Sequence, residues 1–162
     1  MQAIFAAHPA LRAFFDAFVD TFLRRGLLDA RLRELAILRV AWRCAQPYEW
    51  AQHYRLARRA GVEDAELIGV REGAHFAGFA ERERALLRAV DEIVDAGRLS
   101  RAGFDACAQA LGGELRLAVE FLDLVAGYRM MATILHTTAP ALEAAGLPLW
   151  PPDGIGPPGA ER

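Results

Sequence analysis

Residues 34–53 constrain the fold most, because a proline interrupts a helical pattern there. They read ELAILRVAWRCAQPYEWAQH. The first part has apolar residues at helical spacing, and Pro47 ends that pattern because the residue before a proline is displaced from α geometry. A second helix should begin at Pro47, since proline is tolerated at the first helical position. Gln46 is then the cap, and Glu49 and His53 lie one turn apart on the same face.

Three polar residues of this stretch form the candidate catalytic site: Glu34, Glu49 and His53. Glu34 lies on the first helix, which can pack back against the second. A carboxylate beside an imidazole tunes its basicity, as general acid–base catalysis requires. Each residue also has a structural interpretation. Glu49 could close a capping box, His53 could be a satisfied structural histidine, and Glu34 could pair with nearby arginines on a solvated face.

The same residues could supply metal ligands, with Glu34 added to the pair formed by Glu49 and His53. The two-histidine helix motif of zinc hydrolases is missing, however, so we predict no metal.

Apolar residues recur at helical spacing along most of the chain, and no strand pattern is present. The chain is therefore predicted to be all-α, a single-domain bundle of about six to seven helices. Residues 73–78 should form a loop. The predicted helices run from Pro9 to about Leu27, Asp29 to about Ala45, Pro47 to Gly61, Asp64 to Val70, Ala80 to Gly97, Arg101 to Leu111, and Glu114 to about Thr138.

The last predicted helix is the most apolar, so it should be the central helix or part of a subunit interface. Beyond it the chain is rich in proline and glycine. We predict a helical domain over residues 1–139 and an extended tail over residues 140–162, which would dock through Leu149 and Trp150.

The composition excludes several functions. A net charge of -2 and a pI near 6.1 argue against nucleic-acid binding. All 19 basic residues are arginine, which excludes lysine-imine chemistry and the phosphate-loop lysine. No apolar run is long enough to span a bilayer, and residues 1–15 are a poor signal peptide. Two isolated cysteines, Cys44 and Cys107, fit a reducing compartment. We therefore expect a cytoplasmic protein with neither a membrane nor a nucleic-acid partner.

At Glu34, Tyr48, Glu49, Trp50 and His53 the sequence resembles the carboxymuconolactone decarboxylase and alkylhydroperoxidase D superfamily. The matching branch reads YEWxxH, here YEWAQH. The resemblance extends from the first helix to about residue 138, and it includes the segments GVEDAELI and FAERERALLRAVDEI. It implies an alkylhydroperoxidase D-like helical fold.

Peroxidases of this superfamily carry a Glu, a CxxC motif twelve residues later and a His four residues beyond the second Cys. Here the register is kept, but Gln46 and Glu49 occupy the two cysteine positions. Neither residue can form the disulfide that reduction of a peroxide through a dithiol requires. We therefore expect no thiol peroxidase activity.

The resemblance implies decarboxylase-like chemistry on a small carboxylated lactone or related acid, without metal or organic cofactor. His53 would move the proton at carbon, Glu34 would orient the imidazole, and Glu49 would act as a second acid or base. Four further residues are expected to contact the substrate. They are Tyr48, Trp50, Arg39 and Arg43. One of the two arginines would bind the substrate carboxylate through paired hydrogen bonds.

The superfamily also implies a homo-oligomer, commonly a trimer or a hexamer with sites near subunit contacts. Two alternatives to an enzyme stay open. In a non-catalytic oligomeric protein that binds a small molecule, Glu49 and His53 would serve only as a cap and a buried polar pair. In a residual redox protein, Cys44 would react.

Overall fold

The computed structural model of the protein describes residues 8–138 and 150–158. Within these ranges the chain has seven α-helices and no strand, which confirms the all-α prediction. The helices are α1 (Pro9–Val19), α2 (Ala30–Arg43), α3 (Pro47–Arg59), α4 (Asp64–Gly69), α5 (Glu81–Ala96), α6 (Arg101–Ala110) and α7 (Leu115–Thr138). One 3₁₀ turn, Gly73–His75, lies in the predicted loop. None of these helices is long and apolar enough to cross a membrane.

The first α-helix is shorter than predicted. The α-helix predicted to reach about Leu27 ends at Val19, and Asp20–Arg24 form one π-helical turn. Phe18 and Phe22 are both buried, and their ring centroids lie 4.8 Å apart. Apolar spacing predicts which face of this segment is buried. It does not predict the wider turn, because π geometry adds only one residue to each hydrogen-bonded ring.

Helix α2 is the central helix of the bundle. Asp29 caps its start by accepting hydrogen bonds from the backbone N–H groups of Arg31 and Leu32. Every side chain of residues 34–42 is buried, and the helix contacts α3, α5 and α7. Helix α7 packs against one side of α2 and leaves Leu115 65% exposed. The central position therefore belongs to α2 and not to the most apolar helix.

A tight turn joins α2 to α3. Ala45 adopts a left-handed conformation with φ of 50°, which is costly for a residue with a Cβ atom. The backbone N–H of Gln46 donates to the carbonyl of Ala41 at 2.8 Å, and its side chain accepts from the N–H of Tyr48. Pro47 is the first residue of α3, which packs along α2. Side chains of the two helices can therefore meet.

The described part of the tail packs against the bundle through Trp150. Its ring centroid lies 6.0 Å from those of both Trp42 and Trp50. Leu149 and the predicted boundary between residues 139 and 140 lie outside the described residues.

Candidate functional site

Helices α2 and α3 bring Glu34 and His53 into direct contact. The Nδ1 atom of His53 lies 2.7 Å from Oε2 of Glu34, and both side chains are buried. The other oxygen of Glu34 accepts a hydrogen bond from Nε of Arg33 at 2.9 Å. Glu34 is thus not on a solvated face. An ionised carboxylate can only accept, so we assign the hydrogen of this contact to Nδ1 of His53, which leaves the lone pair of a neutral ring on Nε2.

Glu49 is buried without a hydrogen-bond partner. Glu49 is 2% exposed, and neither of its carboxyl oxygens has a hydrogen-bond partner among the described residues. It does not close a capping box, because the N–H of Gln46 donates to Ala41. Burial raises the pKa of the Glu49 carboxyl well above its ordinary value of 4.5, since desolvation penalises the charged form. Glu49 therefore keeps its proton at pH values that ionise an exposed glutamate.

A cavity of about 390 Å³ is lined by both Glu49 and His53. Its volume lies in the range of about 300–1,000 Å³ that is usual for small-molecule sites. The apolar part of the lining comes from α1, the π-helical turn, α3 and α7, and consists of Phe15, Phe18, Val19, Leu23, Leu56 and Met131. Apolar side chains around a buried carboxyl and an imidazole are typical of an active site.

Tyr128 on α7 packs edge-on against the imidazole of His53. The ring centroids lie 4.9 Å apart, and the planes cross at 86°. Burial, together with the nearby charge of Glu34, raises the pKa of the Tyr128 hydroxyl well above its ordinary value. The phenol therefore stays protonated, and its ring restricts the orientation of His53.

Of the four residues expected to contact substrate, only Tyr48 lines the cavity. Trp50 is fully buried in an apolar cluster. Arg39 and Arg43 both donate hydrogen bonds to the carboxylate of Asp91 on α5. These two arginines tie α2 to α5, so the structure does not place either guanidinium in the cavity lining.

The cavity contains three other candidates, Arg55, Arg59 and Tyr128, which the sequence analysis did not single out. Arg55 and Arg59 follow Tyr48 on α3 by seven and eleven residues, so helical spacing from Tyr48 was a usable signal for both arginines. Tyr128 had no such signal. It lies in a helix that is apolar on almost every side. The sequence therefore does not show which side of this helix faces the cavity, because that depends on packing.

Neither cysteine is in a setting that favours a thiolate. Cys44 is half-buried at the end of α2, where burial raises its pKa. Cys107 is buried in the core, and burial raises its pKa to about 11. Both sulfurs therefore stay protonated near neutral pH, and a thiol is a poor nucleophile. Among the described residues, no three His, Cys, Asp or Glu side chains are grouped to hold a metal ion.

An all-α bundle with a buried Glu–His pair at a mostly apolar cavity defines the class of this protein. The chain belongs to the carboxymuconolactone decarboxylase family, whose model matches residues 9–92. The match covers just over half of the 162 residues and includes Glu34, Glu49 and His53, whereas Tyr128 lies beyond it. It confirms the family that the YEWAQH motif indicated. No curated protein shows a significant match to the chain.

The raised pKa of Glu49 predicts a pH-dependent stability. The native state keeps this proton to higher pH than the unfolded chain, so the free energy of unfolding should fall as pH rises above about 4.5. The slope should reach at most about 1.4 kcal/mol per pH unit, the value for one proton. The Glu49→Gln variant should lack this component. Urea unfolding from pH 5 to 8 measures the difference.

The exposed Glu72, between α4 and the 3₁₀ turn, offers a matched control for that measurement. Its Glu72→Gln variant removes the same charge and should follow the wild-type pH dependence. If the Glu49→Gln variant also followed the wild-type curve, Glu49 would not be held protonated by burial.

Proposed function

We propose that the protein is an acid–base enzyme that acts on a small carboxylated lactone or a related acid, with decarboxylase-like chemistry. One observation carries this proposal. The cavity is lined by a protonated carboxyl, Glu49, and by an imidazole whose second nitrogen is held by Glu34. One group can give a proton and the other can take one, because their surroundings differ.

His53 is the residue that moves the proton at carbon. Its Nε2 lone pair takes a proton from the substrate, and the buried carboxylate of Glu34 stabilises the imidazolium that forms. The edge-on contact with Tyr128 keeps the ring aligned. Glu49 hydrogen-bonds to the substrate carbonyl oxygen, or protonates it, as negative charge develops there.

A decarboxylation uses the same groups in the opposite order. The bond between carbon and carboxylate breaks, CO₂ leaves, and the electron pair moves into the conjugated carbonyl, whose oxygen is hydrogen-bonded by Glu49. His53, which has first taken up a proton from solvent, then delivers that proton to the carbon and returns to its neutral form. The two groups therefore support isomerisation and decarboxylation alike, and the substrate decides which occurs.

The structure favours this proposal over the two alternatives. A redox protein would need a reactive thiolate, whereas burial raises the pKa of Cys44. In a purely structural protein, a buried carboxyl group without a hydrogen bond destabilises the native state, and nothing compensates for that loss. Functional sites are where such costs are found.

A direct test uses a panel of butenolides and butyrolactones that each carry a carboxylate. The compounds are incubated with the protein in D₂O, and NMR monitors CO₂ loss, isomerisation and deuterium incorporation at carbon. We expect turnover of at least one compound, and a decrease of about tenfold or more in the Glu49→Gln variant, because an amide can hydrogen-bond but cannot give up a proton. Equal rates for the two proteins would contradict the role of Glu49.

A further inference from the structure

Two arginines that line the cavity have no ion pair. Arg55 and Arg59 are exposed, and neither forms a salt bridge or side-chain hydrogen bond within residues 8–138 and 150–158. Arg58, on the same helix, lies outside the cavity lining. It pairs with Asp64 at 3.0 Å and donates to the carbonyl of Val62. The two cavity arginines are therefore available to a ligand, whereas Arg58 stabilises the end of α3.

The charged and titratable side chains that line the cavity differ in burial. Glu49 and His53 are 2% and 5% exposed, so they form its inner end, and both oxygens of Glu49 lack a hydrogen-bond partner within the described ranges. Arg55 and Arg59 form the outer end, where solvent reaches. Aromatic and aliphatic side chains of α1 and α7 lie among the lining residues. The cavity thus suits a ligand with an apolar body, one anionic end and one neutral polar end.

We propose that Arg55 and Arg59 bind the carboxylate of an amphiphilic substrate at the mouth of the cavity, so that its reacting part reaches Glu49 and His53. This inference rests on the proposed function, in which Glu49 and His53 at the inner end are the reacting groups. It adds a specificity-determining pair to the site and describes the substrate as an amphiphile whose apolar body separates a bound carboxylate from the reacting end.

Helix geometry separates the bound carboxylate from the reacting atom. On α3, Arg59 lies six residues after His53, about 9 Å along the helix axis, and Arg55 lies two residues after it, about 3 Å. Both arginines start from a different side of the helix than His53, because two and six residues correspond to rotations of about 200° and 240°. A carboxylate that both arginines bind is then several bonds away from the carbon that His53 reaches. This carboxylate holds the substrate in place and is not the group that leaves as CO₂. A substrate that loses CO₂ must carry a second carboxyl group at its inner end.

Binding of 3-(4-hydroxyphenyl)propanoate and of its neutral amide tests the proposal without any turnover. The probe has an apolar ring, a carboxylate at one end and a hydroxyl at the other. In isothermal titration at low salt, the wild-type protein should bind the acid about tenfold more tightly than the amide, because charge-assisted hydrogen bonds to arginine are stronger than neutral ones. The preference should shrink as salt screens the exposed charges.

The double variant Arg55→Gln/Arg59→Gln should bind acid and amide equally, with the affinity for the amide unchanged. Arg82, also exposed and helical but outside this cavity lining, supplies the control. An Arg82→Gln variant should keep the full preference. Failure of the wild type to bind the acid, equal affinity for acid and amide, or an undiminished preference in the double variant would each overturn the proposal. A positive result stands even if every lactone of the turnover panel is unreactive.

Discussion

Replacing His53 with alanine is expected to lower kcat by about two to four orders of magnitude, the range that a positioned acid or base contributes. The reason is the geometry around the ring. Nδ1 is held by Glu34 at 2.7 Å, and Tyr128 packs against the ring edge-on. The imidazole therefore has one orientation, with Nε2 as its remaining nitrogen for proton transfer. The substrate that responds in the D₂O panel supplies the assay.

The loss in the His53→Ala variant must be separated from loss of structure. Removing the imidazole leaves the buried carboxylate of Glu34 with Arg33 as its one side-chain partner in the described part of the chain, which also costs stability. Activity is therefore compared at a temperature at which circular dichroism shows both proteins folded. The exposed His75 gives a matched control, and its His75→Ala variant should keep wild-type turnover.

The Glu34→Gln variant completes the comparison. It keeps the size of the side chain but removes the charge that stabilises the imidazolium. Its activity should fall between that of the wild type and that of the His53→Ala variant. If a folded His53→Ala protein retained the wild-type kcat, the proposed acid–base role would be refuted, and His53 would be a structural partner of Glu34.

Local sequence chemistry accounts for much of the helical framework. Ser100 caps α6 by accepting a hydrogen bond from the N–H of Gly103, and Gly97 ends α5 in the left-handed conformation. Such caps involve neighbours in sequence, so they can be predicted from short motifs. The central position of α2 could not be predicted this way. It depends on which helices cover residues 34–42, and composition alone pointed to α7.

The same distinction between local and long-range contacts applies to the candidate site. The spacing of Glu49 and His53 and the proline break before them place both on one helix face near α2, and the contact with Glu34 follows from that arrangement. The choice of arginine depends on distant partners. Arg39 binds Asp91, which is 52 positions away in the chain. No local pattern shows that this carboxylate occupies its guanidinium.

Trp50 was also expected to contact substrate. Its buried surroundings instead predict that it contributes to stability. The side chain is fully buried, and its ring lies 6.2 Å from Trp42 and 6.0 Å from Trp150. The Trp50→Ala variant should lose about 3–5 kcal/mol of unfolding free energy, the usual cost of removing a large aromatic side chain from a core. Urea unfolding monitored by circular dichroism measures this loss.

The Trp50→Phe variant distinguishes packing from polar contact. The indole N–H of Trp50 is buried and has no hydrogen-bond partner among the described residues, so phenylalanine removes a polar group that gains nothing from folding. Its stability should therefore lie much closer to that of the wild type than to that of Trp50→Ala. The exposed Leu115 is the control, and Leu115→Ala should change stability by no more than about 0.5 kcal/mol. A Trp50→Ala protein of wild-type stability that had lost substrate affinity would instead make Trp50 a binding residue, which would require its ring to reach the cavity.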